Sequence, residues 1–141
     1  QRTAGFLETL RELGGAPEQV MIREYRSLND SVSGVISALA NMQERPTALF
    51  STNSLMSQKL IAGAAAVGIR VPEELSLLSF EENNELLYMP VPVSAIRQPT
   101  RELGETAVRM LINLIRGLPV PEHEVLNCSL VSRSSVAKRN E

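Results

Sequence analysis

Asn53 and Glu81 are the residues of this 141-residue chain whose types and settings best suit chemistry, and that chemistry is recognition rather than bond-breaking. Each closes a short apolar run, Pro46-Thr-Ala-Leu-Phe-Ser-Thr-Asn53 and Leu75-Ser-Leu-Leu-Ser-Phe-Glu81. A carboxamide donates and accepts hydrogen bonds while a carboxylate accepts them, a combination suited to sugar hydroxyls or to the edge of a base. Catalysis has no comparable footing. The single histidine, His123, stands beside Pro121 and Glu122 in the setting of a surface turn, with no nucleophile to activate. The single cysteine, Cys128, falls in an apolar-alternating segment without a neighbouring His or Lys, where burial as a small hydrophobe is expected. Neither has a partner at metal-ligand spacing. The carboxylates of Glu73, Glu74, Glu81, Glu82 and Glu85 lack the alternating oxygen ligands and mid-loop glycine of a calcium loop, so most of them read as solvation. No metal, no cofactor and no enzymatic activity is expected.

Two strands joined by one helix-length segment must lie parallel, and in an open α/β sheet ligands collect beyond the carboxyl ends of such strands. The pattern predicts a strand over 47–51, a helix over 55–67 with Met56, Leu60, Ile61 and Ala64 on one side, and a strand over 75–80. Ser54 is a suitable cap for that helix and Gly68 ends it. Upstream, Phe6, Leu7, Leu10 and Leu13 predict a helix over 3–14, and Val20, Met21, Ile22 and Tyr25 a short buried strand over 19–26. Asp30 then caps a helix striped by Val32, Val35, Ile36, Leu39 and Ala40. Residues 81–91 form a loop with an unusual apolar insert, Leu86-Leu-Tyr-Met89, which something is expected to cover. A short strand over 93–96, a long amphipathic helix from Thr100 to Gly117, and a strand or hairpin over 125–136 complete the chain.

Composition narrows the classes. Hydrophobic residues make up 43% and charged residues 21%, as in a soluble globular domain, and no apolar run is long enough to span a bilayer. Fourteen basic against sixteen acidic residues give a net charge of −2, without the basic stripe that phosphate neutralisation requires, so this chain alone is not expected to grip DNA. One cysteine and no signal-like N-terminus favour the cytoplasm.

The strings Gly68-Ile-Arg-Val-Pro-Glu-Glu-Leu-Ser, Ile96-Arg-Gln-Pro99 and Leu130-Val-Ser-Arg-Ser-Ser135 together resemble the lactose/galactose-repressor family of bacterial transcription regulators along almost the whole chain. That resemblance implies a periplasmic-binding-protein-like lobe, α/β with a parallel sheet flanked by helices and incomplete at the N-terminus. It implies that 1–141 is the C-terminal half of a two-lobed effector-binding domain, with about 97–120 contributing to the other lobe, and that DNA is bound only by an N-terminal domain outside this chain. It makes Asn53 and Glu81 contacts for a small-molecule effector, a sugar, sugar acid or purine. It adds Arg2, in Arg-x-x-Gly-Phe, as a guanidinium reaching the effector from a helix start, and Tyr25 as an aromatic stacking on it. The family usually carries Asn-Asp where this chain has Asn53-Ser54, and Asp where it has Glu81. The resemblance also implies a homodimer, here assigned to Met56, Leu60, Leu86, Leu87, Tyr88 and Met89. Two other classes compare less well: the C-terminal lobe of a periplasmic sugar-binding transport protein, which shares the fold, and a receiver-like phosphotransfer domain, for which the clustered acids and lysine are missing.

Overall fold

The computed structural model describes residues 2–24 and 32–138, which fall into two compact units, 1–31 and 32–141. In the first unit the predicted helix is present as α1, Arg2–Glu12. It ends as expected, with Gly14 at φ +76°, a conformation that glycine adopts without a Cβ penalty. The expected strand over 19–26 is not found in its described part. Residues 17–19 form one 3-10 turn, 20–24 pair with no strand, and Met21 and Ile22 are exposed. An apolar run this short becomes a strand only where a neighbouring edge takes up its N–H and C=O groups. Tyr25 to Ser31, including the Asp30 cap, lie outside the described residues.

The second unit runs α2 (Val32–Ala40), β1 (Ala48–Ser51), α3 (Ser54–Ala66), β2 (Ser76–Ser79), α4 (Asn84–Leu87), β3 (Ser94–Arg97), α5 (Thr100–Ile115) and β4 (Ser129–Val131). The four strands stand in the order β1-β2-β3-β4. β1 pairs parallel with β2, with Ser51 opposite Ser79, and β2 parallel with β3, with Ser79 opposite Ala95. β4 returns antiparallel along β3, so the parallel sheet carries one antiparallel edge. The core lies where α3 packs on β1 and β2 and receives α2 and α4, and it consists of Ile36, Leu39, Leu60, Ile61, Ala64, Ile69, Leu75, Leu77, Leu86, Val93 and Ala95. Close approach of α2 to α3 depends on Gly63, since a Cβ there would meet Ile36 Cγ1 at 2.9 Å.

Three expectations change. The insert 86–89 is not a loop lying on the surface: Asn83 Oδ1 accepts from the Leu86 N–H at 3.1 Å, starts the one-turn helix α4, and drives Leu86 completely into the core. Leu60 is buried with it, so neither side chain is available to a second copy, and Met56 and Met89 are half-buried against the same core. Of the six residues assigned to an interface, Leu87 and Tyr88 remain exposed. Cys128 is exposed as well, because the segment before β4 pairs with nothing among the described residues and the strand itself is short. α5 begins at Thr100 as expected, with Pro99 in the position before it. Gly117 closes α5 at φ +69°. Along α5 the apolar residues Leu103, Leu111 and Leu114 are each more than half exposed, and Thr106 alone is buried.

Candidate functional site

Both strand ends use the same device. Ser51 and Ser79 are register partners and almost fully buried, and each hydroxyl donates to the carbonyl two residues on, Ser51 Oγ to Asn53 O at 2.9 Å and Ser79 Oγ to Glu81 O at 2.8 Å. Such serine turns satisfy the backbone where the ladder stops and bend both chains out of the sheet in the same way. The Phe80 N–H still donates to Ser51 O at 2.7 Å, and the rings of Phe50 and Phe80 meet edge to face with centroids 6.1 Å apart. The pleat thus delivers Asn53 and Glu81 to adjacent positions beyond the sheet.

There the two residues meet at the start of α3. Asn53 is the N-cap: its Oδ1 accepts from the Met56 N–H at 2.7 Å. Ser54 does a different job from the capping expected of it. Its backbone N–H and its Oγ both donate to Glu81 Oε2, each at 3.0 Å. Glu81 therefore sits as an anion on the first turn of α3, where the helix dipole favours it. The other carboxylate oxygen and the Asn53 Nδ2 amide have no protein partner among the described residues, so the pair presents one acceptor and one two-hydrogen donor outward. The departures from the family pattern fit together. An Asp at 54 would place a second carboxylate against the first, whereas Ser54 supplies donors and the longer Glu81 reaches them.

Glu82, set down with its neighbours as a solvated acid, is instead the most engaged carboxylate of the site. It accepts from Arg97 Nε at 3.1 Å and Nη2 at 3.5 Å, and from Arg133 Nη2. Its side chain is 18% exposed and that of Arg133 10%. Hydrogen bonding from Arg97, reinforced by Arg133, holds its pKa below the ordinary glutamate value despite the opposing cost of burial. Arg133 is fixed in turn by Nη1 donating to Val93 O at 2.8 Å. Behind it the buried Ser135 Oγ accepts from the Ser94 N–H and donates to Leu77 O, tying the segment after β4 to β2 and β3. Glu74 is likewise paired, with Arg45 and Arg70, and lies below its ordinary value chiefly through the Arg70 hydrogen bond. Glu73 and Glu85 are exposed, in keeping with solvation. The signal for Glu82 was in the sequence: two arginines, one at the end of β3 and one just past β4, need an acid at a neighbouring strand end.

The remaining candidates divide. Arg2 is the first residue of α1, in the other unit, and Tyr25 lies outside the described residues. His123 is exposed beside Glu122, as read from the sequence. No group of three metal-ligating side chains occurs among the described residues. A concavity of about 640 Å³ lies along the start of α5, against Gln98, Thr100, Glu105 and Arg109. No described helix is long and apolar enough to cross a membrane.

Comparison with known proteins agrees with this geometry. The family model for a periplasmic binding protein-like domain matches residues 1–136. The HTH-type transcriptional repressor PurR of Aliivibrio salmonicida is 30% identical over 98% of this chain and 42% of its own length. A LacI family transcriptional regulator from Bifidobacterium animalis superposes with a TM-score of 0.85 at 27% identity, over 99% of this chain and 50% of that one. The lac repressor dimer, solved with operator and the anti-inducer ONPF, superposes with a TM-score of 0.84 at 25% identity, over 97% and 47%. The chain thus spans less than half the length of the curated relatives it matches. The resemblance to the lactose/galactose-repressor regulators and the α/β fold expected from it are borne out.

Proposed function

We propose, on the premise that this chain belongs to the periplasmic binding protein-like domain family, that it is the C-terminal part of the effector-binding domain of a repressor-type transcription regulator. The observation that carries this reading is the matched pair of serine turns that sets Asn53 and Glu81 side by side beyond two parallel strands, with a donor and an acceptor turned outward. A hydroxyl-rich or base-like metabolite presents the complementary groups. Glu81 is exposed and Asn53 half-buried, as suits one wall of a cleft that a second lobe closes. The exposed apolar residues of α5 support assigning about 97–120 to that other lobe.

In this reading the regulator works by differential binding: the lobes close on the effector, and closure repositions a separate DNA-binding domain. The chain itself does no chemistry and contacts no DNA. Arg2 and Tyr25 remain in the effector set on the strength of the resemblance. Dimerisation is assigned to Leu87 and Tyr88 with the half-buried Met56 and Met89, and the protein works in the cytoplasm. The transport-protein alternative is less well supported, because the relatives named above are transcription regulators.

A thermal-shift screen of sugars, sugar acids and purines on the intact regulator tests the proposal, followed by calorimetry on Asn53→Ala and Glu81→Ala. A ligand should emerge, and each substitution should weaken it by about 1 to 3 kcal/mol if a buried hydrogen bond is lost. Unchanged affinity in both variants refutes the site.

A further inference from the structure

The three parallel strands share a register row, Ser51, Ser79 and Ala95, and two residues beyond it stand Asn53, Glu81 and Arg97. The first two are already placed at the cleft; the third is a cation that the charge balance leaves in excess. Glu82 is one carboxylate shared by two guanidinium groups, Arg97 and Arg133. Arg133 is its buried partner, 10% exposed and further anchored on a backbone carbonyl. Arg97 is the outer one, 57% exposed, held along one edge of its fork while its Nη1 has no partner among the described residues. Glu81 does not cancel that charge, because its bonds within the protein go to Ser54 on the first turn of α3. A positive charge therefore stands fixed and half-desolvated in line with the two hydroxyl-binding residues. Its aim is set by a bidentate ion pair behind it.

We propose that Arg97 is a specificity-determining residue that reads an anionic group on the effector, so that the ligand carries a carboxylate or a phosphate beside the hydroxyls or base edge taken by Asn53 and Glu81. This rests on the function proposed above and narrows it to acidic metabolites. A guanidinium pre-oriented on one edge binds an oxyanion with its other edge at little further entropic cost, and the bond is charge-assisted.

Matched neutral and anionic probes decide it, by calorimetry on the intact regulator: glucose against glucuronate and glucose 6-phosphate, and guanosine against guanosine monophosphate. The wild type should favour an anionic member over its neutral partner by about tenfold or more, and the preferred anion tells carboxylate from phosphate. Arg97→Gln should remove most of that preference and leave the neutral partner within about twofold, while Arg97→Lys should restore part of it. Arg133 still pairs with Glu82 in Arg97→Gln, so an unchanged melting temperature without ligand is expected and separates loss of recognition from loss of fold. Binding of a neutral member with no gain from its anionic partner, or an anionic preference that survives in Arg97→Gln, overturns this inference and leaves the proposed function standing. Binding of no probe overturns both.

Discussion

Asn53 has two roles that one pair of substitutions pulls apart. Its Oδ1 caps α3 through the Met56 N–H, and its Nδ2 is the donor offered to the effector. Asn53→Ala removes both. Loss of an N-cap side chain costs about 1 kcal/mol, and α3 is the helix on which the core is built, so the full amount should appear in global stability. Asn53→Asp keeps an acceptor where the Met56 N–H needs one, and a carboxylate at a helix start is as good a cap as an amide. It loses the donor, however, and sets a second negative charge near Glu81. Urea unfolding should thus place Asn53→Ala about 1 kcal/mol below the wild type and Asn53→Asp within about 0.5 kcal/mol of it. Calorimetry with the effector found by screening should show both variants weakened by about tenfold or more, Asn53→Asp no less than Asn53→Ala. An Asn53→Asp protein as unstable as Asn53→Ala refutes the capping assignment, and one that binds the effector like the wild type refutes the donor.

Other outcomes follow from the same geometry. Leu86→Ala should destabilise the fold by about 2 to 5 kcal/mol, because the side chain is fully buried, whereas Leu87→Ala should cost under about 1 kcal/mol; comparable unfolding midpoints would contradict the placement of α4. Glu82 is more acidic folded than unfolded, so its pairing contributes stability above the ordinary glutamate range and loses it as pH falls through the lower folded value. The Glu82→Gln protein should accordingly lose less stability than the wild type between neutral and acid pH in urea titrations, and parallel pH profiles would exclude that role. Charges at Leu87 and Tyr88 would face their own copies across a two-fold interface, so Leu87→Asp with Tyr88→Asp should convert the intact regulator to a monomer in sedimentation; an undiminished dimer places the interface elsewhere.

What the sequence made legible was whatever periodicity and punctuation encode. The strands ending at Ser51 and Ser79, the helix between them and the long α5 follow from apolar spacing, and Gly14, Gly68 and Gly117 each mark a left-handed helix exit. Placement of Asn53 and Glu81 beyond parallel strands followed from topology alone. What remained hidden were choices between neighbours of similar chemistry. Asn53 and Ser54 are comparable caps, and which one holds that position depends on how far the Ser51 turn carries the chain before α3 begins.

Glu81 and Glu82 differ only in the direction that the last peptide of β2 points them. Side-chain alternation is the strongest rule of a strand and it lapses where the strand stops. The Ser79 hydroxyl settles the matter by fixing the turn, and one acid then goes to the helix start while the other goes inward to two arginines. Leu86 and Cys128 fail the sequence reading in opposite directions for a related reason. Burial in a connection is decided by what lies beneath it, a waiting core below Leu86 and no partner strand below Cys128, and neither is written in the local pattern. Ser54 and Glu81 show how two departures from a family pattern can be one change. Each alone breaks a rule for the site, and together they exchange a carboxylate pair for a hydroxyl–carboxylate bond, which lowers the negative charge facing the ligand. One carboxylate fewer beside Glu81 and a spare positive charge at Arg97 bias the same surface toward the same kind of ligand, although they sit on different strands.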